Sequence, residues 1–391
     1  MILKALKYRN SDWSIVSGTT HDEFVEFENI NLIVGRNASG KTRLIESLRW
    51  ISDILDSKIN AQVSVYSSPE SLSFELVFKN NEDLMEYILV TNTTKDNDYG
   101  IAWINVLDEK LFVNKQNRLD RKSGKMYYEQ LKGELDFEID NNRLAIERRD
   151  DIQQPFFKTL HDWGRNLSHY SFGGNMGKGL FAESPTFSDK LTFKNSNNVK
   201  QIFSRGESEF MEIFKQNVIE DMRSIDYILD DIFATNDKIK TSLKILYVKE
   251  SDLDQNTFFE NMSQGMARAF SLIVQLNYSL MAKIPSCILI DDIGEGLDYE
   301  RSRSLIELII KKVEGSNIQL FMTTNDRFVM NSVPLKYWSV IHREGNKSVF
   351  YNYQNSKKTF DDFAFTGLNN FDFFATDFYR MGFEEFIETV Q

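Results

Sequence analysis

The sequence predicts an α/β fold with a mixed or parallel core sheet, and three observations carry that prediction. Residues 31–34 form an apolar strand pattern that runs into a glycine-containing loop. An amphipathic helix follows, with Leu44, Leu48, Ile51 and Leu55 at helical spacing. Near the other end, the continuous apolar run at 287–290, a helical pattern over 304–312 and a second run at 318–323 have the order of a βαβ unit with buried parallel strands. Between these two segments, residues from about 62 to 150 alternate apolar and polar at 73–78, 87–90, 101–106 and 134–139. That period of two predicts an antiparallel β region.

The remaining elements follow in order. Residues 2–8, 14–16 and 23–27 read as strands ahead of the first loop, and 118–125 (RLDRKSGK) as a polar hairpin tip. From Phe156 the pattern becomes helical, with a loop at 172–179 and a pair of helical segments over 203–233. A strand is expected at 242–248, then a helix over 262–281 with Met266, Phe270, Ile273 and Leu280 on its apolar face. The expected organisation is a single head of 391 residues. In it, 1–61 and 285–345 form a core, 62–150 a β-rich region, 151–284 a helical lobe and 346–391 a Phe-rich C-terminal segment.

Composition narrows the function classes. A 41% hydrophobic fraction supplies a packed core, and no run approaches the length of a membrane span. One cysteine, Cys287, excludes an internal disulfide framework and fits a reducing compartment. The four histidines are scattered, without cysteine partners at zinc spacing. A net charge of −12 argues against a broadly basic nucleic-acid surface. Arg118, Arg121, Lys122, Lys125, Arg143, Arg148 and Arg149 nevertheless concentrate positive charge around the predicted hairpin, where a solvated tip and a nucleic-acid contact are both open readings.

Gly35-Arg36-Asn37-Ala38-Ser39-Gly40-Lys41-Thr42 matches G-x-x-x-x-G-K-[S/T] in full, with a strand before it and a helix after it. The glycines let successive N–H groups turn toward a phosphate, and the helix N-terminus adds positive potential. Lys41 is placed to reach the β- and γ-phosphates and Thr42 to ligate magnesium, with Arg43 next in the helix. The sequence therefore predicts ATP and Mg2+ as ligands. Gly173–Gly179 resembles this loop only superficially, because no Ser or Thr follows its lysine. The run 288–290 ends in Asp291-Asp292. Asp291 is the candidate to hold magnesium through water, and Asp292 to orient or deprotonate the attacking water.

These motifs resemble those of ABC-type ATPase heads, the group that includes transporter motors and SMC and RecF-like heads. Gly296-Leu297-Asp298 is similar to the end of that group's D-loop. Ser263-Gln264-Gly265, opening the helix ahead of Asp291, resembles its signature motif. The resemblance implies a head-to-tail dimer in which Ser263, Gln264 and Gly265 face the γ-phosphate held by the partner subunit. Arg268, one turn into the helix, is open to an orienting, phosphate-contacting or structural role. Two positions depart from the group: Asp292 stands where it usually has Glu, and Asn325 where its switch usually has His. Both departures imply slow turnover. Gln153 and Gln154 are candidates for a Q-loop, and Tyr8 and Trp13 for adenine stacking, although core packing accounts for either aromatic residue. Among coil-less members, the length resembles RecF-like proteins and the overcoming-lysogenization-like and abortive-infection ATPases of bacterial phage defence. That likeness implies a cytoplasmic switch with a separate protein effector and no membrane partner, or else a clamp on duplex DNA.

Overall fold

The computed structural model describes residues 1–18, 24–56, 62–64, 69–96, 101–173, 193–194, 198–236 and 244–383. The strands of the first part are β1 (Ile2–Asn10), β2 (Ser14–Ser17), β3 (Val25–Glu26), β4 (Ile30–Gly35), β5 (Gln62–Ser64), β6 (Ser71–Asn80), β7 (Asp83–Asp96) and β8 (Ile101–Val113). After them come β9 (Gln116–Asp120), β10 (Lys125–Tyr128) and β11 (Gly133–Asp136), with helices α1 (Lys41–Leu55) and α2 (Pro155–Arg165). The middle of the chain carries β12 (Leu167–Ser171), α3 (Val199–Ser224), β13 (Leu229–Asn236), β14 (Lys244–Glu250), β15 (Thr257–Phe258) and α4 (Gln264–Met281). Next are β16 (Ser286–Asp291), α5 (Tyr299–Val313), β17 (Ile318–Thr324) and α6 (Arg327–Ser332). The chain closes with β18 (Trp338–Glu344), β19 (Lys347–Asn352), α7 (Tyr353–Phe363) and α8 (Asn370–Ala375). The chain divides into two compact units, 1–165 with 335–391, and 166–334.

In the first unit the sheet runs β11-β10-β9-β8-β7-β6-β1-β2-β19-β18-β4, with β3 on β1 and β5 on β8. Its β6–β11 part is a set of antiparallel hairpins, as the alternation predicts, while β18–β4 and β19–β2 pair in parallel. β4 is buried along its whole length, which explains its unbroken apolar sequence. α1 packs Leu44, Ile45, Leu48, Ile51 and Leu55 inward. Ser52 in the same helix donates to the Gly164 carbonyl of α2 at 2.8 Å.

Two features here escape the sequence patterns. β18 and β19 form a hairpin whose strands pair with β4 and β2, strands more than 300 residues distant in sequence. The C-terminal aromatic residues do not form one long helix. α7 and α8 fold back so that Phe360, Phe363, Phe373, Phe378 and Tyr379, all buried, pack at tilted or edge-to-face angles, with Trp338 against Phe373. Phe365 is 87% exposed, and Phe386 lies outside the described residues.

The second unit holds the expected parallel βαβ, in the order β17-β16-β12, and a small antiparallel sheet, β13-β14-β15. α4 is buried nearly all round. Two helical expectations are corrected. Residues 167–171 are a strand, because they pair in parallel with 287–291. Residues 229–233 belong to β13, whose Ile232 and the β14 residues Leu246 and Val248 are buried. α3 contains non-helical backbone at Met211, consistent with two helical segments. Among the described residues, no helix is long and apolar enough to cross a membrane.

Candidate functional site

The glycine loop of the first unit is built as an anion cradle. Gly40 precedes α1 with φ of 114°, a left-handed conformation that costs an L-residue, and a side chain there would strike the Ser348 hydroxyl. Ala38 is also left-handed, at φ 62°. Four loop carbonyls accept side-chain hydrogen bonds. Lys41 Nζ donates to the Gly35 carbonyl at 2.7 Å and to that of Arg36 at 3.2 Å. Arg343 donates to the Ala38 carbonyl at 3.4 Å, and Ser348 Oγ to that of Ser39 at 2.9 Å. The Ser39 N–H closes a turn on the Arg36 carbonyl at 3.2 Å, and Leu44 N–H starts the helix ladder on that of Gly40 at 3.0 Å.

α1 has no side-chain cap and no acidic residue in its first turn, so its N-terminal donors and dipole stay available to an anion. The Ser39 hydroxyl is buried and has no hydrogen-bond partner among the described residues. Thr42 and Arg43 are exposed at the start of α1. Arg36 pairs with Asp377 of the C-terminal segment at 3.3 Å.

Behind the loop, Trp13 Nε1 donates to Ser348 Oγ at 2.8 Å, so Ser348 braces Trp13 and the loop together. Tyr8 and Trp13 are buried and pack with ring centroids 5.2 Å apart, as their core role requires. They also wall a cavity of about 550 Å3 beside Arg43 and Trp50. Gln153 and Gln154 lie in the turn before α2, where Gln154 is buried and the Gln153 amide donates to Gln130.

In the second unit, β16 delivers Asp291 at its C-terminal end. Asp291 is 8% exposed and accepts a hydrogen bond from the Thr323 hydroxyl of β17. The same hydroxyl accepts from the Asp292 backbone N–H at 2.9 Å. Asp292 has a left-handed φ of 54°, which turns the chain sharply out of the strand. Asn325 is exposed just past β17, and Asp326 caps α6.

The signature segment and the turn after Asp292 form one packed assembly. Ser263 caps α4, its Oγ accepting from Met266 N–H at 3.3 Å. Gln264 and Gly265 begin the helix. A Cβ at Gly265 would lie 2.5 Å from the Gly296 carbonyl oxygen. Arg268 is a buried bracket: its Nη1 donates to the Glu295 carbonyl at 2.8 Å, and burial lowers its pKa. Asp298 caps α5, accepting from Arg301 N–H at 2.9 Å and pairing with the Arg301 guanidinium. That backbone hydrogen bond is the main cause of its lowered pKa. Sequence reasoning passed over Gly173, placed in a loop by its glycines. A Cβ there would lie 2.9 Å from Glu295 Oε2 and 3.2 Å from Asp292 Oδ2, so two carboxylates flank this point.

Four of the cations in and beside the charged hairpin are paired with carboxylates. Arg121 is half-buried, with Glu109 at 3.3 Å and two backbone carbonyls as further acceptors. Lys122 pairs with Asp108, Lys125 with Asp136 and Arg143 with Glu147, and Arg118 lies over the Tyr127 ring. Among the described residues no group of His, Cys, Asp and Glu is arranged to hold a metal by itself. Cys287 is buried, which pushes its thiol pKa up.

A strand, a glycine cradle and an uncapped helix in one unit, with an acid-ended parallel strand and a signature-type helix in the other, define a P-loop ATPase head of the ABC class. The chain belongs to the family described as "AAA domain, putative AbiEii toxin, Type IV TA system", whose model matches residues 30–331. It is similar to the DNA replication and repair protein RecF of Lactobacillus johnsonii, at 23% identity over 345 residues, covering 76% of this chain and 86% of that protein. Its fold is that of solved SMC heads. One, an SmcHead bound to the C-winged helix domain of ScpA, matches with a TM-score of 0.53 at 12% identity, over 90% of this chain and 97% of that one. Another, the Smc head of Pyrococcus furiosus with an extended coiled coil and the C-terminal domain of ScpA, gives 0.50 at 11% identity, over 93% and 99%.

Proposed function

We propose that this ATPase-family chain binds ATP with magnesium at residues 35–43, hydrolyses it slowly in a head-to-tail dimer, and so switches a separate protein effector in bacterial anti-phage defence. The observation that supports the nucleotide most directly is the glycine loop itself, with its left-handed Ala38 and Gly40, its uncapped helix and a buried Ser39 hydroxyl that has no hydrogen-bond partner among the described residues. Lys41, now against the Gly35 and Arg36 carbonyls, would turn its ammonium to the β- and γ-phosphates. Thr42 and Asp291 are the proposed magnesium residues, and the ion, when bound, would neutralise charge developing on the phosphates. The nucleotide core would comprise 1–61 and 285–345.

Asp292 would orient the attacking water, and Asn325 would hydrogen-bond the γ-phosphate without titrating. Ser263, Gln264 and Gly265 would serve the partner subunit's nucleotide, with Asp298 at the interface. Slow turnover follows from a carboxylate one methylene shorter than Glu and from an Asn in place of a titratable His. The matched family's description, "putative AbiEii toxin, Type IV TA system", supports the defence reading. A RecF-like clamp on duplex DNA is the second reading, favoured by the RecF similarity and weakened by the paired cations of the hairpin.

The test is nucleotide-dependent assembly, measured by light scattering. Asp292→Asn should accumulate as an ATP-bound dimer, and Lys41→Ala should neither bind ATP nor dimerise. Wild-type turnover by Lys41→Ala would sink the reading.

A further inference from the structure

The C-terminal segment reaches the glycine loop through one residue. Asp377 lies just past α8, and both of its carboxylate oxygens accept from Arg36 Nη2 at 3.3 Å. Arg36, the second residue of the loop, is exposed, whereas Asp377 is half-buried. The two positions are 341 residues apart, so only the fold brings them together.

The carboxylate is the better-held end of this pair. Asp377 has a left-handed φ of 56°, which turns the chain back after α8, and its carbonyl accepts from the N–H groups of Arg380 and Met381. Tyr379, 2% exposed, donates its hydroxyl proton to Asp377 Oδ1 at 3.2 Å, and the hydroxyl oxygen lies 3.3 Å from His342 Nδ1. His342 follows Ile341 in β18, the residue that pairs with Gly35 at the start of the loop. The Tyr379 ring packs on Tyr351 with centroids 5.3 Å apart, and Phe378 on Phe363 at 5.0 Å. Arg380 adds a longer contact to Asp377 at 3.6 Å.

A guanidinium takes carboxylate and phosphate in the same forked fashion. An exposed ion pair shifts an equilibrium only a few-fold, so a chain of phosphates can displace a single carboxylate from Arg36. The two anions also repel each other, and each therefore weakens the other's hold by the same factor.

We infer that Asp377 competes with the phosphates of a bound nucleotide for Arg36, so that loading of the loop is reported to the C-terminal segment. This regulation rests on the nucleotide reading of residues 35–43. It makes the turn after α8 an internal counter-anion, anchored by buried aromatic rings and joined to the loop by one exchangeable contact.

The experiment compares the full wild-type chain with Asp377→Asn, Arg36→Gln and the double variant. Asn tolerates the left-handed backbone, and Asp377→Gly serves if thermal unfolding shows that Asp377→Asn does not fold. In calorimetric titration with ATP and magnesium, Asp377→Asn should tighten binding about two- to fivefold, the range of an exposed ion pair. In the Arg36→Gln background the same substitution should leave affinity unchanged. Hydrogen exchange of the Arg380 and Met381 amides should quicken when ATP is added to wild type, and should not respond to ATP in Arg36→Gln. Equal tightening in both backgrounds would reduce Asp377 to a nearby negative charge and overturn the competition. Unchanged or weaker binding by Asp377→Asn would overturn it too, and in these cases the loop remains a nucleotide site. Absence of ATP binding to wild type would instead remove the nucleotide reading, and the competition with it.

Discussion

Ser348→Ala tests whether the glycine loop is braced from behind. Ser348 is fully buried, and its hydroxyl makes two hydrogen bonds, accepting from Trp13 Nε1 at 2.8 Å and donating to the Ser39 carbonyl at 2.9 Å. Removing it strands the Trp13 N–H, on a side chain only 4% exposed, at a cost of about 1–3 kcal/mol. It also removes one ordinary hydrogen bond from the loop, at about 0.5–1.5 kcal/mol, so the loss should total about 2–4 kcal/mol. A double-mutant cycle with Trp13→Phe separates the two parts. Phe has no N–H to strand, so Ser348→Ala should cost about 1 kcal/mol in that background, a coupling of about 1–3 kcal/mol. Denaturant unfolding of the four proteins measures the cycle, and nucleotide titration should show weaker binding in Ser348→Ala, whose loop has lost a restraint. Additivity within about 0.5 kcal/mol, with unchanged nucleotide affinity, would refute the brace.

Three further outcomes follow from the same kind of geometry. Gly265→Ala forces a methyl group to within 2.5 Å of the Gly296 carbonyl and should cost about 1–3 kcal/mol in denaturant unfolding, with loss of ATP-dependent dimerisation. A variant as stable as wild type would mean that the two segments yield freely. Ser263→Arg removes a helix cap worth about 1 kcal/mol and should leave ATP binding intact while abolishing turnover, read by nucleotide titration beside phosphate release. Turnover at the wild-type rate would remove the signature role. Glu109 is completely buried, and burial raises its pKa against the opposing hydrogen bonds from Ala145 N–H and Tyr87 and the charge of Arg121. A raised folded pKa means that the folded state binds the proton more tightly. Its contribution is therefore full below the unfolded value of about 4.3 and is lost as pH rises through the folded value. Stability of Glu109→Gln relative to wild type should improve across that interval in unfolding measured at a series of pH values, and a pH-independent difference would contradict the assignment.

The parts of the site that were legible in the sequence are those whose chemistry is local. Residues 35–42 specify a cradle because backbone conformation and helix start are set within eight consecutive positions. Asp291 was legible because a buried strand ending in acid has few structural uses. The Ser348 brace was not, because a serine in a strand carries no mark of the tryptophan it will meet 335 residues away. The strand at 167–171 was hidden for a related reason: its short mixed run acquires a partner only when 287–291 pairs with it. The same nonlocality changed the meaning of charge. Arg121 reads as a solvated tip residue, yet it folds inward because Glu109, on the preceding strand, is buried and needs a cation and donors. Four of the clustered cations thus meet carboxylates, a pairing that only the folded strand order reveals.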